Sequence, residues 1–295
     1  MTTAPALLAP AGAGGRVGRR GLFRRRAAMP GLGLTLGVTL MWLGLLVLLP
    51  IVAVFVRSLG LGPAHFAQVA FSPRALAAYR LSFGSALAAA AINGVFGLLI
   101  AWVLVRYRFP GRRLASALVD LPFALPTAVA GIALTAIYAN TGIVGGPLAT
   151  IGIKLAYNPS GVVLALIFIG LPFVVRTVEP VLADLGQDIE EAAATLGASR
   201  LAVFRRVLLP EILPALLTGF ALAFARGVGE YGSVIFIAGN MPYKSEIAPL
   251  LIVTQLEQFD YEGATAIAAV MLVVSFAMLA VINLIQARER KWRDG

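Results

Sequence analysis

The sequence predicts an all-α membrane protein of six transmembrane helices with a helix-turn-helix in one of its loops, and three observations predict it. Hydrophobic residues make up 59% of the 295 and charged residues only 13%, far from the balance of water-soluble domains. The apolar residues gather into six runs, and Lys and Arg lie almost wholly between the runs. A hydrocarbon core of about 30 Å is crossed by about 20 helical residues, so each run is long enough to span. Backbone groups find no water partner in lipid, which leaves helices or closed barrels; long runs without two-residue alternation exclude the barrel.

Residues 1–29 carry Arg16, Arg19, Arg20, Arg24, Arg25 and Arg26 with no acid to offset them, and predict a disordered basic tail. The first run, Gly31 to Val56, has no charge. It is too long for a cleaved signal core and lacks a small-x-small site, so it predicts a retained helix. The other five are Leu81 to Val105, Leu114 to Tyr138, Leu155 to Val175, Ile212 to Gly239 and Gly263 to Ile285. Prolines 50, 122, 126, 159 and 172 sit in or near these runs and predict kinks or short re-entrant stretches.

Net charge is +10, and its placement explains it. With the N-terminus cytoplasmic, 18 of the 24 basic residues fall on that side: the tail, Arg106 to Arg113, Arg176 to Arg206 and Arg288 to Arg293. Arg57, Arg74, Arg80, Lys154 and Lys244 fall on the other, and Arg226 lies inside a span. The positive-inside rule therefore predicts both termini in the cytoplasm. Scattered loop arginines are not the continuous basic face with stacking aromatics that nucleic acid requires.

Chemistry is sparse. There is no cysteine and one histidine, His65, which excludes thiol catalysis, a paired-histidine zinc site and a Ser-His-Asp triad in the membrane. Only Lys244 among the three lysines precedes Ser or Thr, and Tyr243 stands where a phosphate-binding loop needs glycine, so this chain has no such nucleotide site. No cofactor is implied.

The strongest signal is DLGQDIEEAAATLGASRLAVFRRVLLPEILP, Asp184 to Pro214, between the fourth and fifth runs. Asp188 followed by Glu191 predicts a capping box, and Ala192, Ala193 and Ala194 a strong helix. Gly197 predicts a left-handed stop at a packed turn and Ser199 the cap of a second helix. That helix would carry Leu201, Phe204 and Leu208 on one stripe until Pro210 interrupts it. A partly apolar, glycine-hinged knob facing the cytoplasm suits docking into a groove on another protein.

In this loop Glu191, Ala192, Ala193, Gly197, Val207, Leu209 and Pro210 fall in the register E-A-A-x-x-x-G followed by a hydrophobic residue and L-P. The chain thereby resembles the permeases of bacterial binding-protein-dependent ABC importers. Their motif has isoleucine more often where Val207 stands, and the swap keeps an apolar β-branched side chain. The resemblance implies a type I importer permease fold over residues 30–290, with the ATPase-coupling loop at about 184–211 and residues 291–295 as a cytoplasmic end.

It implies a multi-pass subunit of the bacterial inner membrane that pairs with a related second permease, two ATP-binding subunits and a periplasmic binding protein. ATP would be hydrolysed by the separate subunit. The stretches PFALPTAVAG at 122–131 and EQFDY at 257–261 are similar to the sulfate/thiosulfate permease branch. ARGVGE at 225–230 is shared with molybdate and tungstate permeases, so an oxyanion importer of that kind is the alternative, ahead of a stand-alone secondary transporter or an intramembrane enzyme.

Arg226 and Glu230, four apart, share one face of the fifth run, where nothing else is charged. An arginine at the bilayer centre costs about 2.5–3.5 kcal/mol on insertion scales, so both should face protein or a water-filled path. Two roles stay open: a structural ion pair, or an arginine that attracts a divalent oxyanion while the glutamate moderates its affinity. Neighbouring Gly227, Gly229 and Gly232 would let backbone or anion come close.

Overall fold

A computed structural model describes residues 32–293, with no strand among them; the expected basic tail at 1–29 lies outside the described residues. The first helical rod, Gly33–Gly60, consists of α1 (Leu32–Leu43), a π-helical turn (Gly44–Leu48) and α2 (Leu49–Gly60). The described residues up to Pro50 belong to one contact unit, and those from Ile51 onward to a second. In the first unit Leu34, Leu40, Trp42 and Leu46 are exposed, as befits side chains whose solvent is lipid.

The second unit continues with α3 (Pro63–Ala70) and α4 (Pro73–Arg106). Ser72 caps α4 by accepting from the Ala75 N–H at 3.3 Å, and Pro73 occupies the first turn, where a missing N–H costs nothing. The helix therefore starts well before Leu81. Its buried face is a stripe of Ala78, Ala86, Ala89, Ala90 and Ala101, which lets other helices approach closely.

Next come α5 (Arg112–Ala124) and α6 (Thr127–Tyr138), bent by 117° at the break between them. The run Leu114 to Tyr138 is thus two half-length helices, broken just before Pro126, one of the prolines at which a kink or re-entrant stretch is expected. Pro126 lacks an N–H and pushes Leu125 into extended backbone, φ −85° and ψ 135°. A short α7 (Gly145–Thr150) precedes α8 (Pro159–Asp184), which starts beyond the expected Leu155 and runs past Val175.

The loop helix α9 (Gln187–Thr195) leads to α10 (Arg200–Val203), a π turn (Phe204–Leu208) and α11 (Leu209–Val228). These last three form one continuous rod, Arg200–Val228. Pro210 does not end the helix, because the Leu209 N–H bonds back five residues to the Phe204 carbonyl, leaving room for the proline ring. The first rod does the same at Leu49, bonded to Gly44 ahead of Pro50.

The rod stops at Val228, not Gly239. Residues 229–233 leave the helix at a glycine-rich stretch, and the short α12 (Val234–Ile237) and α13 (Ala248–Glu257) follow before α14 (Tyr261–Arg293). Between the fifth and sixth apolar runs, the apolar helix α13 buries Ala248, Leu250 and Leu251.

Helices α4, α8 and α11 pack mutually at the centre. A Cβ at Gly97 would lie 2.8 Å from a Val174 methyl, and one at Gly219 2.3 Å from the Thr177 hydroxyl, so these crossings rely on glycine. Asn93, fully buried between them, donates to the Ile167 carbonyl at 3.1 Å.

Candidate functional site

The Asp184–Pro214 loop folds as two helices around a turn, with changes in detail. Helix α9 begins after Gly186 and no side chain caps it. Asp188 lies inside the first turn, so the capping box does not form; the acids at 188 and 190 still sit at the positive end of the helix dipole. The C-terminal end is a Schellman turn: the Ala198 N–H donates to Ala193 O at 3.1 Å and the Gly197 N–H to Ala194 O at 2.9 Å.

Gly197 has φ +81°, as expected, yet a Cβ there would meet nothing within 4 Å. The turn is open rather than packed, and its constraint is purely conformational. Ser199 caps α10 by accepting from the Ala202 N–H at 3.3 Å.

The apolar stripe is displaced from the expected one. Val203 and Leu208 are buried, with Phe204 and Val207 packed against the core, while Leu201 points outward. The π turn adds a residue and shifts the helical phase, which a regular 3.6-residue count misses. Glu191, Ala192 and Pro210 are exposed, and Ala193 packs on the core. Beside them Leu196 is 89% exposed and Leu201 65%. The loop therefore presents an apolar tip flanked by the exposed Arg200, Arg205 and Arg206.

Sequence reasoning missed what holds this loop. Arg106, the last residue of α4, lies 2.8 Å from Glu190 and donates to the Leu185 carbonyl at 2.8 Å. Its guanidinium sits 5.7 Å from the Trp102 ring centroid, and Trp102 meets Phe204 edge-to-face at 5.9 Å. Nearby, Arg176 on α8 forks onto Asp120 of α5 at 2.7 and 2.6 Å, reaches the Ser116 hydroxyl and carbonyl at 2.9 Å each, and pairs with Glu179. Both arginines entered the sequence argument only as topology markers; apart from Glu179, three residues after Arg176, their partners are distant in sequence and leave no local pattern.

Arg226 and Glu230 do pair, although the helix ends between them. The Glu230 N–H donates to the Gly227 carbonyl at 3.2 Å, which prolongs the turn enough to keep the side chains together. Glu230 is buried at 3% exposure, and its Oε1 accepts from the Ser233 N–H and hydroxyl, both at 3.0 Å. The Arg226 side chain is 36% exposed.

The three glycines differ in use. Gly232 lies against Thr127 and Gly227 against Ala86, whereas Gly229 has open space around it. Gly131 on α6 lies against the Ser233 backbone, so the bent pair closes directly over the Glu230 turn. Elsewhere, Arg74 at the start of α4 forks onto buried Glu246 at 2.8 and 2.7 Å.

Comparison with known proteins agrees with this geometry. Residues 93–291 match the family described as "Binding-protein-dependent transport system inner membrane component". The chain is 52% identical over 255 residues to a probable sulfate transport system permease protein, cysT, of Nephroselmis olivacea, covering 86% of this chain and 90% of that one. It is 49% identical over 263 residues to the sulfate transport system permease protein CysT of Salmonella typhimurium, covering 89% and 95%.

Among solved structures, a chain of a bacterial alginate ABC transporter in complex with its alginate-bound periplasmic protein superposes with a TM-score of 0.72 at 18% identity. The match covers 87% of this chain and 94% of that one. At that identity the likeness shows the fold alone, which is the type I ABC importer permease fold. With six apolar runs folded as five rods and a bent pair, and the motif in the loop between α8 and α11, the chain belongs to the family of binding-protein-dependent transport system inner membrane components, among the CysT-type sulfate permeases.

Proposed function

We propose that the chain is the membrane-spanning permease subunit of an ABC importer that carries sulfate or thiosulfate into the cell, with ATP hydrolysed by a separate subunit. The observation that carries the substrate is the identity of 52% and 49% to sulfate permeases over nearly the whole chain. The complex would contain a related second permease, two ATP-binding subunits and a periplasmic sulfate-binding protein in a bacterial inner membrane. Both termini would be cytoplasmic, which the concentration of Arg106 to Arg113, Arg176 to Arg206 and Arg288 to Arg293 on one side supports.

Glu191, Ala192, Ala193, Gly197, Val207, Leu209 and Pro210 form the coupling element in this proposal. The exposed tip at Leu196 and Leu201 supports it: apolar side chains ringed by arginines have the composition of a protein-docking patch. Movement of the docked ATPase would displace the loop and, with it, the helices that line the path.

Arg226 is the proposed pathway residue and Glu230 its holder. Glu230 is satisfied by the arginine and by Ser233, so it fixes the turn, while the partly exposed guanidinium beside open Gly229 is left to meet an anion. Sulfate uptake by a strain deleted for its own permease, with and without this chain, tests the function. Uptake restored with sulfate and thiosulfate but not molybdate is the expected result; restored molybdate uptake alone would replace the substrate.

A further inference from the structure

The coupling loop has two covalent neighbours, and both attachments are soft. Towards α8 it is joined through Leu185 and Gly186, which lie outside any helix, and α8 itself contains Pro172 and Pro180. Towards α11 it is joined through the π turn at Phe204–Leu208, with Pro210 and Pro214 just beyond. Prolines and π turns are where helices bend. A push on the loop along either route is partly absorbed at these joints.

Its non-covalent neighbour is different. Helix α4 runs 34 residues from Pro73 to Arg106 with proline only in its first turn, an unbroken rod of about 50 Å. At its end the Arg106 side chain, 9% exposed, pairs with Glu190 at 2.8 Å and donates to the Leu185 carbonyl at 2.8 Å. One guanidinium thus grips both α9 and the link that precedes it. Trp102, one turn back, flanks that guanidinium and packs on Phe204. The end of α4 is therefore fastened to the loop on both sides of the Gly197 turn.

We infer that Arg106 is a positioning residue, the joint through which the coupling loop drives α4. This rests on the proposed importer function. The buried guanidinium is held by the ion pair with Glu190 and the charge-assisted hydrogen bond to the Leu185 carbonyl, and these contacts transmit displacement because breaking them strands an arginine away from water. The far end of the same rod is fixed in the same manner, Arg74 to Glu246, so movement of α9 reaches the segment before α13 without passing through a proline.

The chain has no native cysteine, which makes a direct test simple. Spin labels at Leu99→Cys on α4 and Thr195→Cys on α9, in the complex reconstituted with its ATPase, report whether the two helices move together. We expect their separation to stay constant on ATP binding in the otherwise unaltered chain and to change with ATP in Arg106→Gln. In the same proteoliposomes, sulfate delivered per ATP hydrolysed should fall about tenfold in that variant while the ATPase stays bound, within the range by which coupling residues act.

Glu190→Gln removes the charge pairing with the arginine retained, and it should give the same loss if Arg106→Gln fails to fold. Unchanged sulfate per ATP in the folded variants, or labels that separate with ATP in the unaltered chain, would overturn the joint. An unaltered chain that binds no ATPase would refute the importer proposal itself, and the joint with it.

Discussion

Glu230 has three partners and little freedom, whereas Arg226 has one charged partner and a third of its side chain open, and that asymmetry makes their substitutions informative. Glutamine at 230 still offers an amide oxygen to the Ser233 N–H and hydroxyl, so the turn should survive loss of the charge. We expect Arg226→Gln to reduce sulfate uptake at least about tenfold, and Arg226→Gln with Glu230→Gln to stay low, if the guanidinium meets the anion. Recovery in the double variant, measured as initial uptake rate at equal expression, would assign the pair to packing alone. Gly197 makes a second, separable prediction. Its φ of +81° disfavours any L side chain, but no neighbour would touch a Cβ. Gly197→Ala should therefore loosen the α9 turn by about 1–2 kcal/mol and Gly197→Asn by less, read as faster amide exchange at Gly197 and Ala198 with the membrane helices unchanged. The motif residues were legible because they are local in sequence. Arg106 and Glu190 were not, since a contact spanning 84 positions writes nothing into the pattern around either.

At the scale of elements, apolar run length located every rod, and the errors follow from what run length cannot register. It cannot see a helix that continues through charged residues, so α4 and the Arg200–Val228 rod both began too late. Nor can it see a helix broken inside an apolar run: Gly229 to Ser233 are few and mostly small, and the fifth run was carried past Val228 to Gly239. The π turns escaped for another reason. Pro50 and Pro210 are each preceded by a wider turn whose extra residue accommodates the ring, so a proline that predicts a stop marks a change of phase instead. Packing between rods supports a sharper expectation. Gly219→Ala places a Cβ 2.3 Å from the Thr177 hydroxyl and 2.8 Å from the Val174 Cα, and should lower stability by about 1–3 kcal/mol as overpacked sites do. Gly94→Ala on α4 meets nothing within 4 Å and should be neutral or stabilising by up to about 1 kcal/mol. Thermal unfolding of the purified variants in detergent checks the contrast, and equal melting temperatures would contradict the α8–α11 packing.

At the scale of the whole chain, orientation is the quantity on which the coupling proposal depends. A reporter fused after Gly239 should be periplasmic and one fused after Arg113 cytoplasmic; the reverse pattern would move the docking tip to the wrong side of the membrane. The bend between α5 and α6 bears on how that topology is reached. Helices of 13 and 12 residues are each about 20 Å long or less, short of the about 30 Å that a membrane-inserted helix must cover. Neither half is a complete insertion signal. Helix α5 is held by Arg176 on α8, and α6 by Ser233 beside α12, residues that leave the ribosome about 55 and 100 positions later. The third crossing must therefore wait in an unfinished state during synthesis and settle only when the Arg200–Val228 rod and the turn after it have arrived, which makes the order of translation part of the way this permease is built.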